Sequence, residues 1–236
     1  MKVLAIDTST YTLGVALLDG EQLIGEYITD LKKNHSLRAM PAIEAVLKEC
    51  EVQPSELDKI VVARGPGSYT GVRIGVTIAK TLAWSLQIPL SGVSSLATVA
   101  ASAKYFPAYI SPIFDARRGR VYTGLYRFEN GELITVKEDR NLLLEDWCKE
   151  LKELNHPVLF AGKDATLHKE TITDMLGEQA IIGEASVHSP RPSDLGRLGL
   201  RAPAEDVHSF VPNYIRLAEA EAKWLEAQQG AEEHHG

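Results

Sequence analysis

The stretch "ARGPGSYTGVRIG", residues 63 to 75, places Gly65, Gly67 and Ser68 between an apolar run and a helix-forming one. Such an arrangement suits anion binding, because glycines let backbone N–H groups converge on an anion at the start of a helix. It matches neither standard nucleotide motif. Counting on from Gly67 as a Walker loop requires reaches Val72, with no lysine between Arg64 and Lys80. As a dinucleotide fingerprint it fails because Gly71 comes one residue too late. A tight strand-to-helix turn without a ligand explains the same residues. The segment "DTST" adds Asp7, Thr8 and Ser9, a carboxylate and hydroxyls that suit a phosphate-contacting turn, and Asp115 stands in a similar setting before Arg117, Arg118 and Arg120. Two aspartates ending strands at a cleft suit Mg²⁺ or phosphoryl positioning. Local turn formation explains them equally.

The elements that hold these residues form a repeated pattern. "VLAID", "LGVALLDG" and "QLIGEYI" read as three strands with a hairpin at Asp19-Gly20. "SPIFDARRGRVYTGLYRFENGELITV" repeats the pattern with a turn at Asn130-Gly131. Asp7 and Asp115 then occupy equivalent places. Each half continues into a helix (37–50 and "LLLEDWCKELKEL"), a buried-type strand ("KIVVARG" and "HPVLFAGKD"), another helix and a short strand. Pro41 inside the first helix predicts a kink or a nearby start. His35 lies beside Asn34 and Ser36, where helix capping accounts for the polar cluster. The spacing predicts two β-β-β-α-β-α-β units in an α/β fold. One domain is expected over 1–105 with a C-terminal helix at 212–229, and the other over 106–211.

The helix after the glycine loop carries Gly71, Gly75, Ala79 and Ala83 at every fourth position, a stripe nearly free of side chains. Interior helix glycines cost about 1 kcal/mol each relative to alanine, so close packing must offset them. The partner is expected to be another helix, of this chain or of another subunit.

Composition narrows the function. The chain has 236 residues, 44% hydrophobic and 24% charged, with a formal charge of -7. That balance suits a globular protein and argues against direct grip on a nucleic-acid backbone, the arginines at 117, 118 and 120 being a local exception that a solvated turn also explains. No run approaches the ~20 apolar residues of a membrane span, and "MKVLAIDTST" reads as a strand instead of a signal peptide. Cys50 and Cys148 match no metal or redox spacing, which makes a reducing cytoplasm the simplest compartment. HExxH is absent, including at "HKETI", so metallopeptidase chemistry has little support.

Together, "AIDTST", "NHSLRAMPAI", "GPGSYTGVRIGVTIAKTLA", "VSSLATVA", "DARRGRVY" and "PNYIRLAEA" resemble the TsaB family, also called YeaZ and glycoprotease-like, across nearly the whole chain. The resemblance implies a duplicated RNase-H-like fold of the actin, sugar-kinase and Hsp70 superfamily. It also implies a role in making threonylcarbamoyladenosine (t6A) in tRNA, where the paralogue TsaD transfers the threonylcarbamoyl group. TsaD sequences carry a VNHLEGH segment whose histidines bind the catalytic metal. Here "VSSLATV" puts Ser95 and Val99 at those positions, and no histidine lies from 36 through 155. Serine is a poor ligand and valine none, so loss of the metal site and its chemistry is expected.

The expected function is therefore a non-catalytic subunit paired with TsaD. The expected contact is Gly71, Gly75, Ala79 and Ala83 with Leu37, Met40, Ile43 and Leu47 of the preceding helix. A homodimer is expected without the partner, TsaE ATPase belongs to the complex, and tRNA is reached indirectly. No metal and no firmly bound cofactor is expected; ATP at low affinity is the candidate, on Asp7, Thr8, Ser9, Gly65, Gly67 and Ser68. The alternatives are an ATP-dependent phosphotransferase acting through Asp7 and a binding module without an enzymatic partner.

Overall fold

A computed structural model describes residues 1–215. The segment 216–236, which includes most of the expected C-terminal helix at 212–229, lies outside the described residues.

The first unit contains β1 (Lys2–Asp7), β2 (Thr12–Asp19), β3 (Gln22–Asp30), α1 (His35–Glu49), β4 (Lys59–Ala63), α2 (Tyr69–Leu86) and β5 (Leu90–Val93). After α3 (Ser95–Ala101) the second unit contains β6 (Tyr109–Asp115), β7 (Arg120–Glu129), β8 (Glu132–Leu143), α4 (Leu144–Lys152), β9 (Val158–Ala161), α5 (Lys169–Leu176) and β10 (Ala180–Ile182). The sheet orders are β3-β2-β1-β4-β5 and, in the matching direction, β8-β7-β6-β9-β10. In both, the first strand is central, antiparallel to the second and parallel to the fourth. Two copies of one topology make this a duplicated two-domain α/β fold, as the repeated hairpin pattern predicts. At the second hairpin Asn130 and Gly131 both have positive φ (52° and 82°), the backbone a two-residue turn of matching twist needs.

The central strands read as unbroken apolar runs because both faces are covered. Leu4, Ile6, Ile60 and Val62 point toward α1 and α2, whereas Val3, Ala5 and Val61 point toward α6 (Pro192–Arg201). α6 is held by small residues. A Cβ on Gly196 would lie 2.4 Å from Leu18, and one on Gly199 2.2 Å from Val61. Lys59 Nζ donates to the carbonyls of Gly199 and Ala202, and Phe210 inserts into the first core. The expected boundary that left residues up to 211 in the second domain is corrected accordingly. The chain returns to the first sheet at α6, because its glycines and Leu195 fit the face of that sheet which α1 and α2 leave open.

α3 packs the other way. Leu96, Val99 and Ala100 join Ile110, Phe114 and Tyr126 of the second sheet. Its N-cap Ser94 donates to Asp139 on β8 at 2.5 Å, and Tyr126 donates to the other Asp139 oxygen. Burial pushes the Asp139 carboxyl and the Tyr126 hydroxyl above their usual pKa ranges.

α1 runs unbroken through Pro41, with Asn34 accepting from the Ser36 amide as its N-cap. Among the described residues no helix is long and apolar enough to cross a membrane.

Candidate functional site: an interdomain cleft and a helical face

The expected interface stripe turns inward. Gly71, Gly75, Ala79 and Ala83 are buried in the first domain. A Cβ on Gly71 would stand 2.2 Å from the Thr8 carbonyl oxygen, and one on Gly75 2.5 Å from the Thr8 hydroxyl and 3.6 Å from Val62. The close neighbour that the stripe demands is therefore the end of β1 and the chain's own sheet. Ile43 and Leu47 likewise belong to the core. These six residues are corrected from contact surface to core. Leu37 and Met40, 74% and 46% exposed, stay on the outside. Alongside them α2 shows Tyr69, Arg73, Ile74 and Ile78, which with Met40 line a shallow groove of about 460 Å³. Trp84, 62% exposed, lies eleven residues beyond Arg73, three helical turns along the same face.

The second feature is a cleft of about 780 Å³ between the domains. The two strand-ending aspartates differ there. Asp7 is fully buried; its Oδ1 accepts from the Ser9 amide at 2.8 Å, and its Oδ2 has no partner among the described residues. Burial raises its pKa, against the lowering effect of the Ser9 bond. It does not form part of the cleft wall. Asp115 does, and it is tied down: Oδ1 pairs with His168 Nε2 at 3.1 Å, and its amide donates to Asp164 at 2.8 Å.

Of the residues expected to meet a nucleotide, Ser9, Gly67 and Ser68 line the cleft. Thr8 and Gly65 do not. Thr8 donates to the Gly71 carbonyl at 2.7 Å and packs beneath α2. Gly65, at φ 105°, lies against the last described segment, where a Cβ would stand 2.8 Å from the Asn213 carbonyl oxygen. Their placement beneath α2 and against 213 corrects their expected direct role.

His35, Lys33, Tyr11 and Phe114 are cleft residues that the sequence reading missed. Asn34 does cap the helix, but the His35 ring is buried, donating from Nε2 to the Thr10 carbonyl at 2.8 Å. That partner lies 25 positions away in the chain and leaves no local signal. Arg117 reaches the cleft on a turn where it and Arg118 both hold left-handed backbone (φ 64° and 55°).

The positions aligned with the paralogue's metal ligands lie in α3, where the Ser95 hydroxyl accepts from the Gly65 amide at 3.2 Å and Val99 is in the apolar core. Among the described residues no group of three or more His, Cys, Asp or Glu is arranged to hold a metal ion.

A repeated five-stranded sheet, a cleft between the copies and a helical outer face define a duplicated two-domain α/β protein. Family-level comparison agrees. The model of the family described as "TsaD: tRNA N6-adenosine threonylcarbamoyltransferase" matches residues 23–224. The tRNA threonylcarbamoyladenosine biosynthesis protein TsaB of Bacillus subtilis is 62% identical over 229 residues, 97% of this chain and all of that one. The Escherichia coli TsaB is 37% identical over 134 residues, 56% of this chain and 58% of that one. YeaZ from Pseudomonas aeruginosa superposes with a TM-score of 0.75 at 28% identity, over 90% of this chain and 99% of that one. This chain belongs to the TsaB (YeaZ) family.

Proposed function

We propose that this chain serves t6A synthesis in tRNA as a non-catalytic subunit that pairs with TsaD, the metal-dependent paralogue. The observation that carries the reading is the unpartnered apolar face of α1 and α2, where Leu37, Met40, Tyr69 and Trp84 stand exposed within reach of one groove. Contiguous exposed apolar surface of this kind marks a binding face. The same face would pair two copies of the chain in the absence of TsaD, since one self-complementary patch suffices for a two-fold dimer. TsaE then joins the complex, tRNA is engaged through the assembly, and the compartment is the cytoplasm.

Two features support the absence of catalysis by this chain alone. Ser95 and Val99 replace the ligating histidines, and both are committed to internal packing. Phosphotransfer through Asp7 has less support, because that carboxylate is sealed behind Ser9.

The test is threonylcarbamoyl incorporation into tRNA by TsaD, TsaE and activated donor, with and without this chain. Product that needs both this chain and TsaD, with none from this chain alone, is the expected result. Equal product without it overturns the reading.

A further inference from the structure

The cleft holds polar atoms that the fold leaves unsatisfied. Ser9 and His35 both line it and are both more than nine-tenths buried, and neither the Ser9 hydroxyl nor His35 Nδ1 has a hydrogen-bond partner among the described residues. Buried polar groups without partners are costly, so a pair lining one cavity points to a ligand that completes them. Beside them is the N-terminus of the 18-residue α2, whose cap takes the Gly71 amide. The Tyr69 and Thr70 amides make no hydrogen bond among the described residues. Cations enter from both domains, Lys33 before α1 and Arg117 in the β6–β7 turn, and neither forms an ion pair among the described residues. Lys32 is also present, held over the Tyr11 ring at 5.2 Å. The cleft carboxylates are already engaged: Asp164 accepts from the Asp115 amide, and Asp115 pairs with His168.

We propose that this cleft binds a small phosphomonoester, its phosphate held by Ser9, the first amides of α2, Lys33 and Arg117. A set of several donors exceeds what a two-oxygen carboxylate can use and suits the three oxygens of a terminal phosphate. His35 supplies the complement. With its Nε2 proton given to the Thr10 carbonyl, Nδ1 is an acceptor, and a phosphate near its second pKa of about 6 carries the proton to meet it. Tyr11, Tyr69 and Phe114 flank the remaining space with aromatic surface for a flat organic group. This site is independent of the pairing face, so its test does not depend on TsaD.

The experiment uses the whole chain, titrated by calorimetry with AMP, adenosine and inorganic phosphate, while the His35 imidazole is followed by NMR. AMP is expected to bind and to shift the His35 nitrogen signals, with adenosine and inorganic phosphate each at least about tenfold weaker. The double variant Lys33→Ala/Arg117→Ala is expected to weaken AMP binding by about tenfold or more with its melting temperature unchanged, since both side chains are exposed. Four results overturn the proposal: no AMP binding at millimolar concentration, adenosine binding equal to AMP, inorganic phosphate binding equal to AMP, or wild-type affinity in the double variant.

Discussion

Thr8 and Gly75 meet so closely that a Cβ on the glycine would lie 2.5 Å from the threonine hydroxyl, which itself donates to the carbonyl of Gly71 one turn earlier. The end of β1 is thereby locked to the second helix. The small-residue stripe is what lets an 18-residue helix lie flat on its own sheet. Replacing Gly75 with leucine is an overpacking change against backbone and a buried hydroxyl, which costs about 1–3 kcal/mol and sometimes more. The expected outcome for Gly75→Leu is a destabilised first domain, seen as a lowered denaturant midpoint of the isolated chain. Unchanged stability with lost pairing would return the stripe to the interface.

Leu37 and Met40 differ from the stripe because their side chains already face outward. Leu37→Glu combined with Met40→Glu is expected to abolish co-purification with TsaD while shifting stability by no more than about 0.5 kcal/mol per site, as surface changes usually do. Pull-down and thermal melting on the same samples separate the two effects.

The duplication was legible because each half repeats a strand ending in aspartate and a hairpin turn, at Asp19-Gly20 and Asn130-Gly131. The stripe was legible as a demand for close packing, but four-residue spacing is the same whether the neighbour is a helix or a sheet. Only the position of Thr8 decides it. α6 escaped notice for a different reason. Gly196 and Gly199 are read locally as weak helix formers, and their use becomes visible only against Leu18 and Val61, far away in sequence. His35 was hidden in the same way behind a genuine capping residue.

Phe210 tests the revised domain boundary. Its ring lies in the first core with the Arg64 guanidinium 5.1 Å from its centroid, and Arg64 also bonds both oxygens of Glu205 at 3.0 Å. Phe210→Ala is expected to cost about 3–5 kcal/mol, the range for truncating a buried aromatic. Hydrogen exchange should show the loss concentrated in β1, β4 and β5. Loosening confined to β6–β10 would place the segment with the second domain instead.

The two thiols give a direct readout of packing. Cys148 is buried on α4, and burial pushes its pKa up to about 11, so little thiolate forms at neutral pH. Cys50, at the end of α1, is partly exposed, and its pKa is raised as well, mainly by desolvation. Mass spectrometry after iodoacetamide treatment of the native chain should find slow modification at Cys50 and none at Cys148 until denaturant is added. Equal labelling of both would mean that the second core opens on the timescale of the reaction.

Asp7 makes the stability of the first domain depend on pH. Its folded-state pKa is raised by burial, so the native state holds the proton more tightly than the unfolded chain does. Its contribution is fully present below the unfolded value of about 3.9 and is lost as pH rises through the folded value. Asp7→Asn keeps an oxygen for the Ser9 amide and removes the titration. The variant should therefore show a flatter dependence of melting temperature on pH above about 4, gaining on the wild type as pH approaches 7. Parallel curves for the two proteins across that range would mean that the buried carboxylate is compensated in the native state.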